Sequence, residues 1–202
     1  MLGLLTASVT AGLGYKQAKD SLVVETENKL SAVLAARKQS LTRFLSNIET
    51  DLNTQTTNPT VSAALTEFTA AWNDIPGNQT NYLKDLYIHQ NPHPTGSKEN
   101  YDAAPDGSTY SAVHAKYHPY FRTVLRDRGY YDIFLFDTEG NLIYTVFKEL
   151  DYATNLMSGE WSQTDLGNSF RAAKVNSTPT FFDFKPYGPS VQMRPQVLFH
   201  YP

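Results

Sequence analysis

The sequence predicts an α+β fold in which a long N-terminal helix and a helical insertion pack on an antiparallel sheet. Three observations predict it. No proline or glycine interrupts the chain between Lys16 and Gln55. Asn58 and Pro59 then open a second stretch with apolar residues at helical spacing. The run at 130–147 is rich in phenylalanine and tyrosine and contains a glycine turn, which is typical of a β-hairpin.

Composition limits the class of protein. The chain has 202 residues, of which 41% are hydrophobic and 18% are charged, so it can bury a core of its own. Its net charge of −3 provides no basic surface for a phosphate backbone, and we expect no nucleic-acid partner. It has no cysteine, which excludes disulfides, thiolate catalysis and cysteine-ligated metals.

Sequence motifs of catalysis are not found either. The chain has no G-x-S-x-G, no phosphate-binding glycine loop and no H-E-x-x-H. We therefore expect no catalytic residues and no cofactor, and a protein that is not an enzyme. An enzyme would instead need carboxylates and histidines that converge in a cleft.

Residues 1–15 contain no charged side chain, and Lys16 is the first charged residue of the chain. The run is shorter than the ~20 apolar residues that span a bilayer. We interpret it as the end of a transmembrane helix, and the hydrophobic region of a signal peptide is the alternative. Either interpretation places the protein at a membrane or beyond it.

Residues 16–57 are predicted to form one long, membrane-proximal helix. Seam positions recur along it at alternating steps of three and four, as in a coiled coil. They are Val23, Glu27, Leu30, Leu34, Arg37, Leu41, Phe44 and Ile48. At 1.5 Å per residue this helix is roughly 60 Å long, which exceeds any face that a small domain offers. We expect part of it to pair with a second copy in a homodimer, and an amphipathic helix lying on its own domain is the alternative.

Residues 58–128 form the predicted helical region. Its first helix has an apolar face made of Val61, Leu65, Phe68, Trp72 and Ile75. A short helix at 82–89 and a polar loop come next, and a further helix is predicted at 110–128. Pro119 is expected to kink or split that helix near His118, since proline removes a backbone donor and clashes with the preceding turn.

The predicted sheet begins with the hairpin. Its strands, 131–137 and 141–147, have apolar residues on both faces, so both faces must be covered. The long N-terminal helix is expected to cover one of them. A helix that Thr164 or Ser162 can cap should follow and end near Lys174, then a third strand at 180–184 and a fourth at 197–201. Sheets of this type usually have a fifth strand, so we expect the sheet in this sequence to be incomplete.

The segment 129–156, GYYDIFLFDTEGNLIYTVFKELDYATNL, resembles the Cache (PAS-like) periplasmic sensor domain of methyl-accepting chemotaxis proteins. Residues 110–122 (YSAVHAKYHPYFR) and 181–190 (FFDFKPYGPS) add to the resemblance. It implies a receptor of the bacterial inner membrane whose sensor sheet, at 129–202, faces the periplasm and binds a small molecule. Helix movement would relay binding to a cytoplasmic signalling module, and a membrane kinase or nucleotide cyclase would fit equally well as the output.

Five residues are candidates for ligand binding because they lie at or near the hairpin and the third strand. They are Tyr131, Tyr144, Lys148, Asp183 and Tyr187. Lys148 could pair with a carboxylate and Asp183 with an ammonium group, and together they would suit a zwitterion. The expected ligand is an amino acid, an organic acid or an amine. The alternative for Lys148 is a solvated charge cluster with Glu149 and Asp151.

Two further hypotheses concern metal binding and a rival function. His114 and His118 are four residues apart, which on a regular helix places both on one face. Pro119 is expected to spoil that regularity and no third ligand follows from the spacing, so we expect no metal site. The rival function is a periplasmic dimerisation module that binds no small molecule. A pocket filled by the protein's own tyrosine and phenylalanine side chains would favour it.

Overall fold

The computed structural model describes residues 2–175 together with Phe182, Gly188 and Pro189. In this part of the chain the fold is mixed and mostly helical, with one two-stranded antiparallel sheet, which confirms the α+β class. The predicted third and fourth strands, 180–184 and 197–201, lie outside the described residues apart from Phe182.

Five α-helices and two strands form the described part of the chain. They are α1 (Leu2–Thr56), α2 (Pro59–Asn73), α3 (Gln79–Lys84), α4 (Thr109–Arg128), β1 (Phe134–Phe136), β2 (Leu142–Thr145) and α5 (Asp165–Val175). A π-helical turn at Asp85–His89 continues α3, and a 3-10 turn lies at Lys98–Asn100. The chain divides between Ile48 and Glu49 into two compact units, so the last residues of α1 belong to the second unit.

Helix α1 is one continuous helix of 55 residues, and the predicted long helix is present. Residues 2–15 continue into it without a break. Among the described helices, none has an apolar stretch of the length needed to cross a bilayer. Five apolar residues of the seam are between 47% and 71% exposed: Val23, Leu30, Leu34, Leu41 and Phe44. Neighbours within the described chain therefore leave the seam largely open.

Helix α2 begins as the sequence predicts. The Asn58 side chain accepts a hydrogen bond from the backbone N–H of Thr60 (2.8 Å), and Pro59 occupies the first turn. The buried face of α2 consists of Ala64, Phe68, Ala71 and Trp72. Leu65 of the predicted stripe is 37% exposed, because the small alanines rather than Leu65 face the core.

Helix α4 passes through Pro119 without interruption, so the predicted split near His118 is wrong. A proline inside a helix removes one backbone hydrogen bond. Here the burial of one whole face of α4 offsets that cost, and the Thr123 hydroxyl donates to the Pro119 carbonyl (2.9 Å). As a consequence His114 and His118 stay on the same face. Gly129 ends the helix with a left-handed φ of 69°.

Strands β1 and β2 pair antiparallel with Leu135 opposite Tyr144, which confirms the predicted hairpin. Both strands are shorter than predicted, because two aspartate side chains take the place of backbone acceptors at their ends. At the open end, Oδ1 of Asp132 accepts the N–H of Val146 (2.9 Å). At the turn, Asp137 accepts two backbone N–H groups.

Both faces of the hairpin are covered, but the cover differs from the prediction. Tyr144 packs on Phe68 of α2 and Phe121 of α4, with ring centroids 4.8 and 5.1 Å apart. Within the second unit, residues 49–56 of α1 do not supply the cover that was expected of the long N-terminal helix. The part of α1 in the second unit, 49–56, is mostly polar and cannot supply an apolar cover. On the opposite face the second core contains Phe134, Phe136, Leu156, Leu166 and Phe170.

The segment after the hairpin ends in the predicted helix. Helix α5 starts at Asp165, and the Thr164 hydroxyl accepts the backbone N–H of Gly167 (3.4 Å), which confirms Thr164 as the cap. The apolar face of α5 places Phe170 against Phe136 of β1, with ring centroids 5.6 Å apart. Helix α5 therefore supplies the second cover of the hairpin.

Candidate functional site

One face of α4 binds the loop that precedes it. Polar side chains recur on this face every four residues: His114, His118, Arg122 and Arg126. The rings of His114 and His118 hydrogen-bond the backbone carbonyls of Asp102 and Glu99 (2.5 and 2.7 Å). Arg122 donates to the same Glu99 carbonyl (2.8 Å) and to the Asp102 carboxylate (2.5 Å). The loop backbone is therefore held by side chains of the helix.

His118 connects this loop to the hairpin. Its Nε2 atom faces the Glu99 carbonyl, which can only accept, so Nε2 carries the proton and Nδ1 is the acceptor. The Tyr144 hydroxyl lies 2.6 Å from Nδ1 and the Nζ atom of Lys148 lies 3.3 Å from it. A single imidazole therefore joins the loop, α4 and the hairpin. We call His114, His118, Tyr144 and Lys148 the histidine–lysine cluster.

His114 stacks on His118, with ring centroids 4.4 Å apart and an interplanar angle of 27°. Because its Nδ1 donates to a carbonyl, its Nε2 is an acceptor, and this buried atom has no hydrogen-bond partner among the described residues. Stacking brings the two ring faces together, which is not the arrangement of two nitrogens that ligate one ion. In the described part of the chain no group of three or more histidines and carboxylates could hold a metal ion.

Further tyrosines enclose the histidine–lysine cluster. The Tyr110 hydroxyl donates to the Ile143 carbonyl (2.7 Å). Its one proton is therefore used, and the Tyr152 hydroxyl, which lies 2.7 Å away, donates to it. The Tyr87 hydroxyl shares a hydrogen bond with Ser111 (2.9 Å). All three tyrosines are fully buried. The surroundings of the cluster are therefore aromatic, closed to solvent and satisfied in their hydroxyl groups.

Lys148 is only 1% exposed and Asp151 is equally buried, so the alternative of a solvated charge cluster is wrong. The backbone of Lys148 has a φ of 55°, in the left-handed region that side chains other than glycine seldom adopt. Its Nζ atom donates to the Val146 carbonyl (3.1 Å). The same atom lies 4.9 Å from the centroid of the Tyr144 ring and 6.0 Å from that of Tyr87.

Burial determines the protonation of the histidine–lysine cluster. It lowers the pKa of Lys148 well below its usual value, although the nearby Asp132 acts in the opposite direction. Burial, followed by the charge on Lys148, lowers the pKa of His118 to about 2 and that of His114 well below its usual value. Burial also raises the pKa of Tyr144. Every member is therefore driven toward its neutral form.

Asp132 is the acidic group that is electrostatically coupled to Lys148. The residue is partly exposed, but its carboxyl group accepts hydrogen bonds from the buried Thr145 hydroxyl (2.5 Å) and from the backbone N–H of the buried Val146 (2.9 Å). Burial raises the pKa of Asp132, while the hydrogen bond from Thr145 opposes that shift. In this pair, a charge on one partner favours the charged form of the other.

Of the candidates from the sequence, the structure brings Tyr144 and Lys148 together. The hydroxyl of Tyr131 donates to the Glu149 carboxylate (2.6 Å), and its ring stacks on Phe147. The last two candidates lie outside the described residues: Asp183 and Tyr187. The sequence therefore identified two members of the cluster.

The sequence reasoning missed His114, His118 and Asp132 as neighbours of Lys148. The four-residue spacing of polar side chains on α4 was a usable signal, because a polar row on the buried face of a helix has to bind something. The expected break at Pro119 hid that row. Asp132 gave no such signal, since an aspartate at a strand end is ordinary.

Comparison with known proteins adds no relative, because no family model, no curated protein and no solved structure matches this chain. The functional inference therefore depends on the chemistry of the histidine–lysine cluster and on the surfaces of the helices.

The free energy of unfolding should fall as the pH drops from 7 to 5. An unfolded histidine has a pKa of about 6.5, whereas burial lowers the pKa of His118 in the folded protein to about 2. Between pH 7 and pH 5 the unfolded state therefore binds a proton that the folded state does not. Linkage then removes about 2 kcal/mol of stability per such histidine between pH 7 and pH 5. His118→Asn removes the titrating ring, so in this variant the loss of stability between pH 7 and pH 5 should be smaller by the contribution of one histidine. Urea denaturation at pH 5, 6 and 7 measures it.

His89→Asn is the matched control, because His89 lies exposed on the surface. It should keep the pH dependence of the wild type. A His118→Asn variant that loses stability as steeply as the wild type would contradict a neutral, buried His118.

Proposed function

We propose that this chain is the extracytoplasmic ligand-sensing domain of a transmembrane chemoreceptor. In this proposal the second unit binds a small molecule in the periplasm, and α1 relays binding across the inner membrane to a cytoplasmic signalling module. A kinase or a nucleotide cyclase is an equally suitable output. The role is not catalytic and needs no cofactor. The β1–β2 hairpin and its helical cover support the finer proposal that the sheet is of the Cache, PAS-like type.

The observation that carries the proposal is the attachment of the end of α1 to the chain that enters the hairpin. The Tyr130 hydroxyl donates to the Asp51 carboxylate (2.7 Å), and Arg128 pairs with the same carboxylate (3.3 Å). Burial, followed by this contact with Asp51, raises the pKa of Tyr130. Tyr130 stands two residues before Asp132, which bonds the end of β2. A shift of the hairpin would therefore act directly on α1.

A second attachment joins α1 to α4. The Tyr120 hydroxyl donates to the side-chain oxygen of Gln55 (2.8 Å) and accepts from the side-chain amide of Asn58 (2.7 Å). Tyr120 follows His118 by two residues on α4. A rearrangement at the histidine–lysine cluster could therefore reach α1 through the hydrogen bond between Tyr120 and Gln55. A ligand-driven shift between two helix arrangements requires such a connection.

The exposed seam of α1 supports a second copy of this chain as partner. Its apolar residues from Val23 to Phe44 keep the three-and-four spacing of coiled coils and are at least 47% exposed, whereas Ile48 at the end of the seam is buried. Exposed large apolar side chains that follow one another along a helix mark interaction surfaces, and here only Glu27 and Arg37 interrupt them. We therefore propose a homodimer through α1, anchored to the inner membrane.

The proposed ligands are an amino acid, an organic acid or an amine. Tyr144 and Lys148 place a hydroxyl and an amine among aromatic walls, which is the composition of small-molecule sites. Asp183 and Tyr187 remain candidates in the proposal. Ligand binding next to Lys148 would have to move a side chain, since Tyr144 is completely buried and Lys148 nearly so.

The burial of Tyr144 and Lys148 favours a second candidate function, a periplasmic dimerisation module that binds no ligand. Tyr87, Tyr110, Tyr144 and Tyr152 are all fully buried and fill the space that a ligand would need. The two functions share the seam of α1 and differ in whether a small molecule binds.

A thermal-shift screen against amino acids, organic acids and amines should find a compound that stabilises the protein. At 100 times its dissociation constant, a ligand adds about 2.7 kcal/mol to the free energy of unfolding, which is readily measured. With that compound bound, amide hydrogen exchange at 49–56 should change. Tyr130→Phe should keep binding but lose much of the change in exchange, because its hydroxyl reaches Asp51.

Tyr15→Phe is the control, because Tyr15 is 75% exposed on α1. It should behave like the wild type in both measurements. A screen without any hit on well-folded protein would contradict the sensor and favour the dimerisation module.

Leu34→Glu should weaken self-association. The substitution places like charges opposite each other in the proposed seam, and a loss of 1.4 kcal/mol or more corresponds to a dissociation constant at least about tenfold higher. Sedimentation velocity over a concentration series measures it. Leu34 is 71% exposed in the single chain, so the fold itself should tolerate the change.

Leu22→Glu is the matched control, because Leu22 is 65% exposed on α1 and the three-and-four spacing places it on the side of the helix away from the seam. It should associate like the wild type. A wild type that stays monomeric, or two variants that weaken association equally, would contradict dimerisation through this seam.

A further inference from the structure

The Nζ atom of Lys148 lies in a chamber with the features of an amine site. It donates to the Val146 carbonyl (3.1 Å) and lies 3.3 Å from the acceptor Nδ1 of His118. The rings of Tyr144 and Tyr87 lie near it, with centroids 4.9 and 6.0 Å away. All of these contacts are made by the amine group itself and do not require that the amine be attached to the chain. A primary amine from outside could make the same set.

We propose that this chamber is a binding site for primary alkyl amines that Lys148 fills as a built-in ligand, and that a free amine competes with Lys148 for it. The inference rests on the proposed sensor function, of which it names the ligand class. Its physical basis is the match between one amine, two acceptors and two aromatic faces.

The chamber selects against carboxylates. The groups that contact Nζ are a backbone carbonyl and a deprotonated ring nitrogen, and both only accept hydrogen bonds. In the described part of the chain no carboxylate oxygen lies within ion-pair distance of Nζ. The carboxylate oxygens of an organic acid are also acceptors, so they would find no hydrogen-bond donor at Nζ's position and would lose their bonds to water. A primary amine has the donors that these acceptors require.

The chain around Lys148 is built so that the side chain can leave. Lys148 and Ala153 both have left-handed backbone angles, with φ of 55° and 60°, so the turn between them is held in a sparsely populated conformation. Two side chains hold the turn from outside: Lys84 donates to the Leu150 carbonyl (2.7 Å) and Thr80 to that of Ala153 (2.5 Å). Neither of these two contacts involves Lys148 itself, so they hold the turn and not the lysine side chain.

Competition with the built-in ligand sets the affinity of the wild type. A free amine can bind only in the fraction of molecules in which Lys148 has left the chamber, so the apparent dissociation constant is the intrinsic one divided by that fraction. Removal of the side chain removes this competition. The affinity for an added amine should then rise, and it should rise further than at a buried lysine whose amine lacks these aromatic neighbours.

The experiment uses the full chain with Lys148→Ala and n-propylamine, which reproduces the atoms from Cγ to Nζ of the missing side chain. Thermal unfolding and titration calorimetry should show stabilisation that grows with amine concentration, with an affinity at least about tenfold above that of the wild type. A variant that folds only when the amine is present would also support the proposal. A variant whose folding and melting temperature do not respond to n-propylamine would overturn it.

Lys98→Ala is the matched control. Lys98 is also buried (8% exposed) and donates to the Ile88 carbonyl (2.9 Å), but in the described part of the chain no aromatic ring contacts its Nζ. It should not respond to the amine, and Lys148→Ala should not respond to propionate or to tetramethylammonium chloride. An equal response of Lys98→Ala would overturn the proposal. If Lys148→Ala fails to respond while the wild type binds another compound in the screen, the sensor function stands and the amine site does not.

Discussion

The neutral imidazole of His118 is the interaction on which the rest of the second unit depends. Its proton is fixed on Nε2 by the Glu99 carbonyl, which leaves Nδ1 as the acceptor of the Tyr144 hydroxyl (2.6 Å), with the Nζ atom of Lys148 beside it at 3.3 Å. A second proton on this ring would turn the acceptor into a donor and break its bonds to the hairpin. Because burial opposes that proton, the loop, α4 and the hairpin remain joined around one uncharged ring.

A buried polar cluster of this kind is costly unless its groups are satisfied, and that constraint explains several features of the fold. The strained backbone at Lys148 allows the lysine to be buried, and the tyrosines around it satisfy one another through their hydroxyls. Asp132 accepts the N–H groups of Val146 and Phe147, the two residues after β2, and it opposes the fall in the pKa of Lys148. The same segment carries Tyr130, through which the hairpin reaches α1.

Much of the fold follows from local chemistry, and much of the site does not. The Asn58 cap, the Thr164 cap and the hairpin depend on neighbours in sequence, and the sequence predicted them. The continuity of α4 through Pro119 depends on packing that outweighs a local penalty. The burial of Lys148 depends on a left-handed residue and on an imidazole thirty residues earlier. No local pattern indicates such contacts.

The most direct test of this account is an NMR titration of the lysine ε-methylene groups in ¹³C-lysine-labelled protein, with Lys148→Met used to assign the Lys148 signal. A desolvated amine among acceptors and aromatic rings should titrate well below the exposed lysines, because burial lowers its pKa. A Lys148 signal that titrates together with those of the surface lysines would show a solvated ammonium group and contradict the account.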